Sequence, residues 1–154
     1  MSRQMQNFRR GNPQQQGRES NPEEEWRNEI KSSLGEDYVQ KVLMFDRLEL
    51  DKFKEFNDKL KSFIRGGDIG TTRMRKIYEI VNGAKDQRSL LVSLPILAYI
   101  VGKEFGKNRE EVGKIVTIIS DCIYKMKTEE DLKGIKKFTE ALVAYHRYFH
   151  PRSE

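Results

Sequence analysis

His146 and His150 stand four residues apart, a spacing that puts two imidazoles on one face of a helix and within reach of one metal ion. The sequence has no other His, and its only Cys, Cys122, lies on a different segment, so a third ligand is missing. The acid that a zinc-protease helix carries between its two His is absent as well. Neither a metal nor any other cofactor is expected. His146 reads as a surface residue, and His150 as a residue near a fraying helix end. Cys122 falls among apolar residues with no His beside it, the pattern of a buried, inert thiol. Gly66, Gly67 and Gly70 lack the Lys-Ser/Thr of a phosphate-binding loop. No nucleophile, base and orienting group stand at usable spacing, so catalysis is not expected.

The cations form a better pattern. Arg73, Arg75 and Lys76 crowd the first turns of one segment. A helix N-terminus carries partial positive charge and outward-facing N–H groups, so cations there run against the dipole and an arriving phosphate would relieve the conflict. Lys133, Lys136 and Lys137 are followed further along the same segment by Arg147, with Tyr145 and Tyr148 among the basic residues. Such rings can stack on a base, though they pack in helical cores more often. Each cation alone is an ordinary solvated residue; the set is what points to phosphate.

The elements that must position these groups read as helices. Asn21 is a helix cap, Pro22 a first helical residue, and Trp26, Ile30 and Leu34 form one apolar stripe ended by Gly35. Tyr38, Val42, Phe45 and Leu48 continue into Phe53, Phe56, Leu60, Phe63 and Ile64 with no breaker between them, so one long helix is expected up to Gly66-Gly67. Thr71 or Thr72 caps the next helix, which carries Met74, Ile77, Tyr78 and Val81 and closes at Asn82-Gly83. Residues 86–105 are apolar nearly all round, which predicts burial on most sides, with Pro95 kinking the helix or marking its true start. Asn108 and Glu111 match a capping box. Val112, Ile115, Ile119, Cys122 and Met126 then make a narrow seam for one neighbour or a second copy. Thr128 caps a last helix that carries Leu132 to Phe149 and stops before Pro151. No stretch alternates as a strand does. The expectation is an all-α, compact helical bundle of about five to six helices over 21–154, behind a disordered tail at 1–20.

Charge is unevenly spread. The chain has 154 residues and a net charge of +5. Residues 1–20 carry four Arg and one Glu, 21–69 carry nine basic and twelve acidic residues, and 70–154 carry sixteen and eleven. The tail is polar and nearly without apolar residues, too poor in them to offset its ordering entropy. The basic excess at the tail and in the C-terminal half suits a polyanion through counterion release. A single cysteine fits a reducing cytosol, and no apolar run approaches a membrane span, so a cytoplasmic protein without membrane contact is expected.

Three segments carry a resemblance. Thr71-Thr72-Arg73-Met74-Arg75-Lys76-Ile77-Tyr78 resembles the Thr-Ser-Gln-Ile-Arg-Lys-aromatic signature of the small subunit of type III-A (Csm) CRISPR effector complexes. Pro95-Ile96-Leu97-Ala98-Tyr99-Ile100-Val101-Gly102-Lys103 is similar to that family's Pro-Lys-Leu-Ala-Tyr stretch with a basic end. Phe138-Thr139-Glu140-Ala141-Leu142-Val143-Ala144-Tyr145-His146-Arg147-Tyr148-Phe149 is similar to its C-terminal Glu-Ala-hydrophobic-Val-Ala-Tyr-His-Lys-Tyr motif. The three occur in the family's order within 71–149.

The resemblance implies a non-catalytic subunit that lines the groove holding guide RNA and target RNA. It would grip the target backbone without reading sequence, in antiviral defence. Partners would be both RNAs, the backbone and large subunits, and other copies of the chain, with a homodimer open to the isolated protein. By position, Arg75 and Lys76 match the signature's Arg-Lys, Lys103 the second motif's basic end, and Arg147 the last motif's Lys. Arg73 stands where the signature has Gln. With Lys136, Lys137 and His146 these make up the expected RNA-binding set. Two rival readings remain: a protein-only interaction module paired through the Val112–Met126 seam, and a small metal-dependent nuclease or hydrolase.

Overall fold

The computed structural model describes residues 22–154, and every regular element among them is helical. The expected tail at 1–20 and the Asn21 cap lie outside the described residues. Helices α1 (Pro22–Leu34) and α2 (Tyr38–Leu43) are followed by a 3-10 turn (Phe45–Arg47), α3 (Leu50–Arg65) and α4 (Thr71–Gly83). Next come α5 (Gln87–Val92), α6 (Leu94–Gly102), α7 (Gly106–Lys125) and α8 (Glu129–Phe149). The all-α bundle stands. It has more helices than expected because two segments divide.

The first division falls at residues 44–49, where one long helix was expected. Leu48 and Glu49 are extended, with ψ near 147° and 150°, and the chain turns a corner. Arg47 holds that corner, donating to the Leu43 carbonyl at 3.1 Å and to the Glu130 carbonyl at 2.8 Å. The turn swings Phe45 inward against Phe53, Phe56 and Phe138, with ring centroids 5.1, 6.3 and 5.7 Å away. Aromatic clustering of that kind outweighs helix continuity, which no local breaker signals.

The second division is at Ser93, and Pro95 sits in the first turn of α6, where its missing N–H costs nothing. All-round burial of 86–105 does not occur. Leu90, Leu97, Ile100 and Val101 are buried, but Val92, Ile96, Tyr99 and Phe105 are 64%, 52%, 68% and 83% exposed. α5 and α6 pack on each other and on α7, leaving an outer apolar face without a neighbour among the described residues.

The space for a second copy along the Val112–Met126 seam is also filled. α7 is the central helix: Val112, Gly113, residues 115–119, Cys122 and Ile123 are buried, because α1, α2, α5, α6 and α8 all pack around it. Cys122 has no exposed surface and burial pushes its thiol well up, as expected of an inert thiol.

Of the three caps expected among the described residues, one forms. Thr128 and Asp131 make a full capping box on α8. α4 instead begins at Gly70, whose φ of +88° suits glycine, and the Thr71 hydroxyl donates to Ser153 O at 2.7 Å. α7 begins at Gly106, so Asn108 is already in its first turn, and Glu111 pairs with Lys114 at 3.5 Å.

α8 crosses α2 so closely that a Cβ on Gly134 would stand 2.1 Å from the Leu43 carbonyl oxygen. Gly134→Ala should therefore destabilise the fold by about 1–3 kcal/mol through overpacking against backbone, despite alanine's better helix propensity. The urea midpoint of the purified variant checks this.

Candidate nucleic-acid interface

α4 and α8 run antiparallel and pack along their length. The start of α4 meets the end of α8, and Ala84, just past α4, accepts a hydrogen bond from Lys136 near the start of α8. A third strand of contact comes from the α6–α7 loop, where Glu104 takes a two-pronged ion pair from Arg73 at 2.9 and 3.0 Å. One end of the molecule therefore gathers the first turns of α4, the last turn of α8 and the loop bearing Lys103.

The expected RNA-binding residues separate into two groups. Arg75, Lys76, Lys103 and Arg147 are exposed and form no ion pair among the described residues. Lys103 lies 6.0 Å from the Tyr99 ring centroid, and Tyr148 beside Arg147 is exposed. The other four are committed within the chain. Arg73 is held by Glu104 and donates to the Ile69 carbonyl, so it is a strut. Lys136 satisfies the Ala84 carbonyl at the end of α4. Lys137 pairs with Glu140 at 3.5 Å on the surface, an interaction that water and salt weaken. His146 is 3% exposed and bonds Asp68, so its ring is turned inward and away from the solvent-facing position expected of it.

His150 is not at a loose end either: its Nε2 lies 3.0 Å from the Ile64 carbonyl. Tyr145 is half-buried, with its hydroxyl donating to Asn57 at 2.9 Å, which removes it as a stacking ring. The anion cradle expected at the start of α4 is occupied as well, since the Thr72 amide donates to Glu154 O at 3.0 Å. Among the described residues no group of three or more His, Cys, Asp or Glu is arranged to hold a metal ion.

Asp68 and Glu104 were not singled out in the sequence, though they organise this end. Asp68 Oδ1 accepts from the Gly70 amide at 2.9 Å, from His146 at 3.0 Å and from Ser153 at 2.7 Å. Burial pushes its carboxyl up, but those hydrogen bonds outweigh it and hold the group below the usual carboxylate range. Glu104 is lowered by the Arg73 hydrogen bonds. The Asp-Ile-Gly run, which lets an Asp side chain bond the amide two residues on, was the local signal for Asp68. Nothing local marks Glu104, whose partner lies thirty-one residues away in the chain.

The family described as Csm2 Type III-A matches residues 41–152. The chain belongs to that family. As a Csm2 protein it is a small subunit of the type III-A CRISPR effector, a member of the Csm complex with the other Csm subunits. The match takes in all three quoted motifs and reaches thirty residues further toward the N-terminus, to Lys41 in α2. Comparison with curated proteins and with solved structures gives no match. Among the described residues no helix is long and apolar enough to cross a membrane.

The lowered carboxyls carry a pH consequence for this small subunit. Asp37, Asp68, Asp86 and Glu104 all titrate below their ordinary values in the fold. A depressed folded pKa contributes stability that is full above the unfolded value and lost as pH falls through the folded one. With unfolded carboxyls near 4, the urea midpoint should hold from neutral pH to about 5 and drop toward pH 3. A midpoint flat to pH 3 would contradict it.

Proposed function

We propose that this small subunit acts without catalysis, holding guide RNA and target RNA by their phosphates. Arg75, Lys76, Lys103 and Arg147 are the contacts, at the end where α4, α8 and the α6–α7 loop meet. The observation that carries this reading is the division of the expected cations: Arg73, Lys136 and Lys137 engage the chain itself, while the four family-matched positions remain open to solvent. Base pairing between guide and target supplies sequence recognition, so a subunit at that duplex needs only charge at the right spacing. RNA cleavage then belongs to other subunits. The same reading keeps the protein in the cytoplasm, with residues 1–20 as a basic tail ahead of one bundle domain.

Neighbouring copies are the second kind of partner. The outer face of α5 and α6 sets Val92, Ile96 and Tyr99 beside Arg88 and Lys103. That face is open among the described residues while the α7 seam is filled, which favours copies meeting through α5 and α6 over a pair joined through α7.

Arg75→Glu with Lys76→Glu should keep full helicity, weaken binding to single-stranded RNA, and reduce the slope of log affinity against log salt by about 1.4, at roughly 0.7 per phosphate contact. Arg73→Gln should leave that slope unchanged. Anisotropy titrations across a salt series decide it; an unaltered slope in the double variant removes these residues as contacts. For the copies, sedimentation equilibrium at rising concentration should show weak self-association that Ile96→Asp abolishes. A strict monomer at every concentration ends that reading.

A further inference from the structure

Asp68 lies in the short loop between α3 and α4, outside every motif quoted above. Its Oδ1 takes three hydrogen bonds, from the loop's own Gly70 amide, from His146 of α8 and from Ser153 of the C-terminal segment. His150 Nδ1 lies 3.8 Å from Oδ2. The C-terminal segment then closes the circuit, because Ser153 O and Glu154 O accept from the Thr71 hydroxyl and the Thr72 amide at the start of α4. One carboxylate thus joins the approach to α4, the last turn of α8 and residues 150–154. Those pieces carry Arg75, Lys76, Arg147 and Arg152.

Two physical roles for Asp68 predict opposite outcomes. Its side chain is 45% exposed, and as a bare negative charge beside a cationic surface it would repel RNA. As a knot it fixes the spacing of the cations, and a fixed array loses less entropy on meeting a phosphate strand than a loose one. We propose that Asp68 is a positioning residue for RNA binding, its carboxylate locking the first turn of α4, the end of α8 and the C-terminal segment into one rigid platform. This rests on the RNA contact proposed above.

The test uses the full chain, a mixed-sequence single-stranded RNA probe and amide exchange at Gly70, Thr72 and residues 152–154. Asp68→Asn should remain helical, exchange the Thr72 amide at least tenfold faster, and bind RNA several-fold more weakly even though it gains a unit of positive charge. Asp68→Glu, which keeps the carboxylate, should recover part of the affinity. Ser153→Ala, at the exposed side of the knot, should shift both readouts the same way by less. Ile119→Val, a core change of comparable destabilisation, should leave RNA affinity alone. Equal or tighter RNA binding by Asp68→Asn overturns the proposal and leaves Asp68 a bare charge. If Asp68→Asn fails to fold, Ser153→Ala decides: unchanged exchange and affinity overturn the proposal too. A wild-type chain that does not bind the probe overturns the RNA reading and the positioning role together, whereas wild-type binding with an indifferent Asp68→Asn sinks this inference alone.

Discussion

Burial of α7 on nearly every side is the constraint on which the other helices depend. With Val112, Ile115, Val116, Ile118, Ile119, Cys122 and Ile123 in one run, the middle of this helix leaves little surface for water, so the shell around it must be nearly complete. The shell is fitted closely. A Cβ on Gly113 would stand 2.5 Å from the Trp26 ring, so α1 lies flush against α7 only because that position is glycine. Near the other end of α7, Asp121 takes two hydrogen bonds from Arg27 and one from the Tyr38 hydroxyl, joining α1 and α2 to the same helix. Burial and that carboxylate together push the Tyr38 phenol up, so it stays a neutral donor.

Around this axis the protein uses its cations in two ways. Arg47, Arg73, Lys114 and Lys136 are internal fasteners, bonded to carbonyls or carboxylates on other segments. Arginine's fork suits the first two, each of which bridges two acceptors at once. Arg75, Lys76, Lys103 and Arg147 stay in solvent, on parts of the chain that the fasteners hold together. Binding a polyanion needs charge that is free and geometry that is not, and the division of labour between the two sets meets both needs.

Much of this was legible in the residues themselves. The stripes at Trp26–Leu34, Met74–Val81 and Leu132–Phe149 mark amphipathic helices because a period near 3.6 is a local property, and glycine and proline fix several of their ends for equally local reasons. The inert thiol and the four motif-matched cations could likewise be named from the sequence. Less was legible wherever a distant partner decides. The corner at residues 44–49 exists because Phe45 meets Phe138, and Arg47 meets Glu130, from the far end of the chain.

Sequence by itself determined the helical class, most helix boundaries and which residues carry charge, since each follows from neighbours within a turn or two. Only the tertiary structure decided which charges are free. It engaged Arg73, Lys136 and His146 within the chain by supplying Glu104, Ala84 and Asp68 from segments thirty to eighty residues away. It also closed the α7 seam and opened the α5–α6 face, because burial depends on what packs against a helix and hydrophobic periodicity records only that something could.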